Sequence, residues 1–157
     1  MGRLKSGPER DLVERYRQRI EGTSRHQGLS GPDFVELAES RARREDDRRK
    51  EEAEALLEKA GSSILVVFDE RGKTPSSEDF ASRIGAWRDE GRQSLACLVG
   101  GPDGLDPELR RRADWIVSFG SLTIPHQIVR ALVAEQLYRA ITILSGHPYH
   151  RAGHDEA

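Results

Sequence analysis

Residues 64–68 read Ile-Leu-Val-Val-Phe, and two runs of similar character follow, Leu-Ala-Cys-Leu-Val at residues 95–99 and Trp-Ile-Val-Ser-Phe at residues 115–119. Short apolar runs rich in β-branched and aromatic residues are typical of strands that are buried on both faces. Segments with helical signals separate these runs. This alternation predicts an α/β fold in which helices flank a parallel sheet.

The helices are predicted from apolar spacing and from the residues that begin and end them. Ser76 or Ser77 is the predicted cap of the helix before the second apolar run. Asp106 followed by Pro107 marks a cap and a first turn, and Gly146 ends a long apolar stripe. Residues 33–38 are too short to classify, so strand and helix start both remain open there. The predicted helices cover residues 9–20, 39–60, 76–91, a short segment after 106, and 126–145.

The second of these helices is unusually charged, because twelve of the fourteen residues from 39 to 52 carry a charge. Opposite charges four residues apart, such as Arg41 and Glu45, favour a solvent-facing helix that stops at Gly61. A charged tail that binds a partner is the alternative.

Composition predicts a single domain over residues 1–157, with 36% hydrophobic and 33% charged residues. Cys97 is the only cysteine, so no intramolecular disulfide can form, and we expect a buried, inert thiol in a cytoplasmic protein. The apolar runs are far shorter than the ~20 residues that a membrane helix needs. The first thirty residues also lack the apolar run of a secretion signal.

The charge balance neither requires nor excludes nucleic acid. Lys and Arg number 25 and Asp and Glu number 27, for a net charge of −2. Both ends lean basic: residues 1–28 hold seven Lys or Arg against four acids, and residues 123–151 hold three Arg against Glu135 alone. Binding of RNA is therefore compatible with the charge pattern.

The loops after the second and third apolar runs are the first candidate site, since ligands bind at the carboxyl ends of parallel strands. These loops read Gly-Gly-Pro-Asp-Gly-Leu at residues 100–105 and Gly-Ser-Leu-Thr-Ile-Pro at residues 120–125. Their main-chain amides could hold an adenosine, whereas no phosphate-binding glycine motif is present. Turn formation alone would also explain any one of the glycines.

The tail His-Pro-Tyr-His-Arg at residues 147–151, with His154 beyond it, is a second candidate. A zinc site is disfavoured because no nearby Cys or acid completes an inner shell, so we predict no metal. Stacking on RNA bases and a frayed tail are both open. Glu135 lies four residues before Arg139, which favours a surface ion pair over a catalytic base.

Three longer strings carry a resemblance to a known family. They are LVGGPDGL at residues 98–105, SFGSLTIPHQIVRALVAEQLYRA at residues 118–140 and HPYHR at residues 147–151. Together they closely resemble the bacterial large-subunit rRNA methyltransferase H family, a single-domain group of the SPOUT methyltransferases. The resemblance implies an α/β fold with a C-terminal trefoil knot, a homodimer, and S-adenosylmethionine as methyl donor. It also implies 23S rRNA in the assembled ribosome as substrate, methylated at N3 of a pseudouridine.

The resemblance further assigns residues to roles. The tail residues Tyr149, His150 and Arg151 would reach the target base. Because N3 must lose its proton before it can attack, our own hypotheses are Glu135 as the base and Arg151 as the stabiliser of the anion. It also favours a strand for residues 33–38. The cofactor contacts fall on Phe68, Gly101, Gly120, Ser121, Leu122, Thr123, Ile124 and Pro125.

One departure from the family concerns the start of the chain. Family members open with an apolar strand before the stretch that matches residues 2–5, so we expect this chain to lack the first strand. A strand missing from the sheet would leave its neighbour unpaired. The alternative function is a non-catalytic ribosome-binding or RNA-binding protein with the same fold.

Overall fold

A three-stranded parallel sheet forms the centre of the protein, which is described here for residues 1–150 of a computed structural model. The strands are β1 (Ile64–Lys73), β2 (Leu95–Val99) and β3 (Trp115–Val117). The helices are α1 (Pro8–Ser24), α2 (Glu45–Ala60), α3 (Ser77–Asp89), α4 (Pro107–Arg112) and α5 (His126–Leu144), and a 3₁₀ turn spans Arg25–Gln27. The predicted parallel α/β sheet is confirmed.

β1 is the central strand, in the order β2-β1-β3. Ile64 pairs with Leu95 at one end of the β1–β2 ladder, and Phe68 pairs with Val99 at the other. Helices α3 and α4 supply the crossovers that parallel strands need. The carboxyl ends of all three strands therefore meet at one edge of the sheet.

Successive side chains of β1 point into two apolar clusters, one on each face of the sheet. On one face, Ile64, Val66 and Phe68 belong to a cluster with residues of α3 and α5. On the other face, Leu65 and Val67 belong to a cluster with residues of α2 and α4. Both faces of the strand are covered, which is why its sequence is an uninterrupted apolar run.

The capping predictions are confirmed for two helices. The Ser76 hydroxyl accepts a hydrogen bond from the Asp79 amide at 3.0 Å, and the Asp79 side chain completes a capping box at the start of α3. The Asp106 carboxylate accepts from the Glu108 amide at 2.7 Å and begins α4.

Two expectations are wrong. Residues 33–38 form no strand; the segment runs outside the sheet and is tied to the start of the chain by a hydrogen bond from the Gly2 amide to the Leu37 carbonyl. The charged helix begins at Glu45 rather than at residue 39. Residues 39–44 contain no large apolar side chain to pack on the core, whereas α2 buries Ala53 and Leu56.

β1 continues beyond its apolar run to Lys73, which pairs with Val117 after a shift in register. The Ser118 amide donates to the Lys73 carbonyl at 2.8 Å. A Cβ atom added to Gly72 would lie 2.7 Å from main-chain atoms of Ile116 and Val117. Only a glycine therefore allows the polar end of β1 to lie directly against the backbone of β3.

No helix within residues 1–150 has the length and apolar character needed to cross a membrane.

Replacing Gly72 with Ala should lower the free energy of unfolding by about 1–3 kcal/mol, because backbone atoms cannot move aside as a side chain can. Gly22→Ala is the matched control, since this glycine lies within α1 with no atom within 4 Å of the added carbon. The control should be neutral or stabilising by up to about 1 kcal/mol. Urea unfolding measures both, and equal effects would contradict the close approach at Gly72.

Candidate functional site

A cavity of about 670 Å³ opens at the carboxyl edge of the sheet. Its volume lies in the range of small-molecule sites, roughly 300–1,000 Å³. The two loops selected from the sequence, 100–105 and 120–125, supply much of its wall. Of the predicted cofactor contacts, all but Ser121 line this cavity: Phe68, Gly101, Gly120, Leu122, Thr123, Ile124 and Pro125.

Close packing behind the first loop explains its paired glycines. A Cβ atom on Gly100 would lie 2.9 Å from the side chain of Leu105, and one on Gly101 would lie 2.9 Å from a Glu52 carboxylate oxygen. The two buried glycines leave main-chain atoms as the cavity wall. Such a wall allows a ligand to approach the backbone closely.

Gly120 and Ser118 shape the second loop. Gly120 has a φ of 123°, a conformation that residues with side chains rarely adopt. The Ser118 hydroxyl accepts from the Gly120 amide at 3.0 Å and lies 2.9 Å from the Gly120 carbonyl, to which it donates. These contacts hold the loop at the point where β3 ends and the path to α5 begins.

An ion pair fastens the first loop to α2. Arg48 donates from Nε to one Asp103 oxygen at 2.6 Å and from Nη2 to the other at 3.1 Å. The hydrogen bonds and charge of Arg48 hold the pKa of the Asp103 carboxyl below its ordinary value. Because the folded-state pKa is lowered, the interaction is fully present above the ordinary Asp pKa of about 3.9 and is lost only as the pH falls below it.

A second ion pair at the cavity was not predicted from the sequence. Arg110 Nη1 donates to Asp69 Oδ2 at 3.3 Å and to the Leu105 carbonyl at 2.7 Å, and both side chains are largely buried. Asp69 directly follows Phe68, so its position after a predicted strand was the available signal. Arg110 gave no such signal, because only the tertiary fold brings α4 to this edge.

Three of the four predicted catalytic residues, Glu135, Tyr149 and His150, meet in a different place. Together with Tyr16 and Arg139 they form what we call the C-terminal cluster. Glu135 Oε1 accepts hydrogen bonds from Arg139 Nη2 at 2.5 Å and from the Tyr149 hydroxyl at 3.1 Å. The ion pair predicted between Glu135 and Arg139 is confirmed, but it is half-buried rather than on the surface, because the tail packs over it.

Tyr149 is held by its ring as well as by its hydroxyl. Its ring packs edge-on against Tyr138 at 4.7 Å between centroids, and the Arg139 guanidinium lies 5.0 Å from the ring centre. The Tyr16 hydroxyl lies 3.3 Å from the Tyr149 hydroxyl. Burial, with Tyr16 and Glu135 adding to it, raises the pKa of Tyr149 above its ordinary value, so the hydroxyl stays protonated at neutral pH.

His150 continues the cluster toward α3. Its Nε2 lies 2.7 Å from Glu78 Oε1, and its Nδ1 lies 3.3 Å from Arg139 Nη1. Glu135, Tyr149 and His150 are thus brought together, but none of them lines the large cavity. Arg151 and His154 lie outside the described residues.

A smaller cavity of about 220 Å³ lies between the large cavity and the C-terminal cluster. It shares Phe68, Ser118 and Phe119 with the large cavity, together with Val117. Gln136 connects it to the cluster: Nε2 donates to Glu135 Oε2 at 2.6 Å, and Oε1 accepts from the Ser77 hydroxyl at 2.9 Å. No motif or spacing in the sequence pointed to Gln136.

Two other candidates have simple outcomes. Burial raises the pKa of the Cys97 thiol to about 12, which leaves almost no thiolate at neutral pH and is consistent with the inert thiol that we predicted. Within residues 1–150, no three His, Cys, Asp or Glu side chains are grouped as metal ligands would be.

A comparison of the sequence with known families identifies the class of protein. A family described as "Predicted SPOUT methyltransferase" matches residues 1–150. The chain therefore belongs to the SPOUT methyltransferase family. Within it, the chain belongs to the large-subunit rRNA methyltransferase H group, as the three strings quoted from its sequence indicated. It is an enzyme of the methyltransferase class.

Relatives within that group cover almost the whole chain. A protein of Methylobacterium nodulans is 54% identical over 152 residues, which are 96% of this chain and 94% of the relative. One of Bradyrhizobium sp. strain BTAi1 is 55% identical over 97% of this chain and 96% of its own length. One of Rhizobium leguminosarum is 54% identical over 96% and 95%. All three are named ribosomal RNA large subunit methyltransferase H.

Replacing Arg48 with Met should release the first loop and make the amides of residues 100–105 exchange with solvent several-fold faster, because Asp103 loses both hydrogen bonds. Arg17→Met is the matched control, since Arg17 pairs within its own helix α1, with Glu14 and Glu21, and does not line the cavity. Hydrogen exchange followed by mass spectrometry measures both variants. Unchanged protection in the Arg48 variant would show that the ion pair does not hold the loop.

Proposed function

We propose that this enzyme transfers the methyl group of S-adenosylmethionine to N3 of a pseudouridine in 23S rRNA of the assembled ribosome. The observation that carries the proposal is the cavity at the strand ends, which gathers seven of the eight expected cofactor contacts. Membership of a methyltransferase family and the names of the relatives support it.

The large cavity has the chemistry that an adenosine needs. The rings of Phe68 and Phe119 stack with centroids 5.4 Å apart and give it an apolar wall. The loops 100–105 and 120–125 offer main-chain donors and acceptors for the ring and ribose. S-adenosylmethionine supplies a methyl group on a sulfonium: the carbon–sulfur bond breaks, a carbon–nitrogen bond forms, and sulfur keeps the electron pair.

The residues of this chain then have two tasks. The loops hold the methyl donor in line with the attacking nitrogen, since positioning dominates such a displacement. The proton on N3 must also leave, and Glu135 is the proposed acceptor through Oε2, which among the described residues accepts a hydrogen bond from Gln136 alone. Arg139 balances the charge of this carboxylate, Tyr149 and His150 shape the approach to it, and Arg151 is the proposed stabiliser of the anion.

A homodimer completes the proposal. Leu122 is 81% exposed beside the cavity, and Ile128 is exposed one turn into α5, so this end of the molecule presents apolar surface. Arg49 and Arg71 are among the lining residues of the cavity, and their guanidinium groups are the proposed contacts for RNA phosphates. Each copy alone would hold isolated RNA weakly, so a dimer that combines two weakly basic surfaces would account for a need for the assembled ribosome. The enzyme would act on ribosomes in the cytoplasm.

The trefoil knot is also part of the proposal. Its support is membership of the SPOUT family together with the close approach of the end of β1 to β3 at Gly72.

Incubating the enzyme with ribosomes that lack the modification and with methyl-labelled S-adenosylmethionine should label one nucleotide. We expect the label on N3 of a single pseudouridine in 23S rRNA, mapped by nuclease digestion and mass spectrometry. Calorimetry should show binding of the cofactor. Cofactor binding without label would point to a different RNA. If the protein binds ribosomes but neither labels them nor binds the cofactor, the result would favour the non-catalytic alternative.

Glu135→Gln should lower the single-turnover rate of methylation by about 10²-fold or more, because an amide cannot accept the N3 proton. Glu14→Gln is the control. Glu14 lies on α1 and, like Glu135 on α5, pairs with an arginine of its own helix, here Arg17 at 2.6 Å. Unchanged methylation by the Glu135 variant would show that the base assignment is wrong.

A further inference from the structure

We propose that the smaller cavity binds the target nucleobase and that Gln136 donates a hydrogen bond there to a carbonyl oxygen next to the attacking nitrogen. The inference rests on the proposed methylation of a pseudouridine. It gives the target base a binding site and gives Gln136 a role in the reaction.

The lining of this cavity suits a flat, neutral, polar ring. Three phenylalanines, Phe68, Phe80 and Phe119, provide aromatic surface for stacking. The polar groups are hydroxyls, such as that of Ser77, and the amide of Gln136. No charged side chain is among its described lining residues, so a phosphate would find no counter-charge.

The position of the cavity places such a ring next to the methyl donor. The two cavities have Phe68, Ser118 and Phe119 in common, so they adjoin one another along these residues, and a ring in the smaller cavity lies beside a group in the large one. On its far side the cavity reaches α3 and the C-terminal cluster, because Glu78, which contacts His150, directly follows Ser77. The smaller cavity therefore lies between the cofactor loops and the tail.

Gln136 is held so that it has one donor to spare. Its amide oxygen accepts from Ser77, and one of its two amide hydrogens goes to Glu135. An amide nitrogen carries two hydrogens, and no residue within 1–150 accepts the second, which leaves it for a ligand. The two contacts fix the orientation of the amide before any ligand enters, which is the preorganisation that makes a hydrogen bond effective in catalysis.

The chemistry of N3 gives this donor a role in the reaction. When N3 loses its proton, the negative charge spreads onto the carbonyl oxygens on either side. A fixed N–H group aimed at one of them stabilises that charge, as the donors of an oxyanion hole do. Gln136 would thus favour loss of the proton, while its partner Glu135 accepts it.

The test compares wild-type enzyme with Gln136→Met, which keeps the volume and removes the donor, and with Gln136→Glu, which places a negative charge beside the forming anion. We expect single-turnover methylation of unmodified ribosomes to fall by about 10–10³-fold for Met, the range seen for loss of one such donor. The Glu variant should be slower still. Cofactor binding by calorimetry should stay unchanged in both.

The pH profile separates this role from a structural one. Without the donor, N3 loses its proton less readily, so the rate of the Met variant should keep rising with pH beyond the point where the wild type levels off. Gln18→Met and Gln18→Glu are the matched controls, because Gln18 is an exposed helical glutamine that also donates to a glutamate, Glu14 at 2.9 Å. These controls should leave rate and profile unchanged.

Two results would overturn the inference while leaving the proposed function in place. One is a wild-type rate in the Gln136 variants. The other is a loss of rate that is matched by an equal loss of cofactor binding and shows no change in pH profile. Absence of label with the wild-type enzyme would instead refute the proposed function, and the inference with it.

Discussion

β1 is covered on both faces and on both edges, and the candidate site depends on this burial. Val66 and Val67 are fully buried, one in each apolar cluster, so the strand has a single allowed register between β2 and β3. Phe68, the last residue of its apolar run, consequently has a fixed position at the carboxyl edge. Phe68 lines both cavities and also belongs to the apolar cluster on one face of the sheet, so the core and the two cavities meet at this side chain.

Glu135 is the second point on which the site depends. A half-buried carboxylate is stable only where charge and hydrogen bonds compensate it. Arg139 supplies the charge, and Tyr149 and Gln136 supply further donors. One side chain therefore orients the tail through Oε1 and the amide of the smaller cavity through Oε2. A change at this residue would disturb both, so the proposed chemical role of Glu135 has to be separated from this positional one by experiment.

Much of the fold was predictable because the elements have strong local signals. The apolar runs, the capping residues Ser76 and Asp106, and the stripe of α5 all formed elements where we expected them. The predictions that were wrong lie where local signals are weak. Residues 33–38 have apolar side chains but no neighbouring strand, and residues 39–44 have helical charge spacing but no apolar face to bury.

The order of strands and helices along the chain, the loops that line the large cavity and the family could all be predicted from local sequence signals. Periodicity, turn residues and family strings are local properties, and they are readable without a structure. Only the tertiary structure decided which distant residues meet: Arg110 with Asp69, Tyr16 with Tyr149, and Gln136 with Ser77. Those contacts join segments 41, 133 and 59 residues apart. Side-chain identity alone does not encode such pairs, because they result from how the helices pack on the two faces of the sheet.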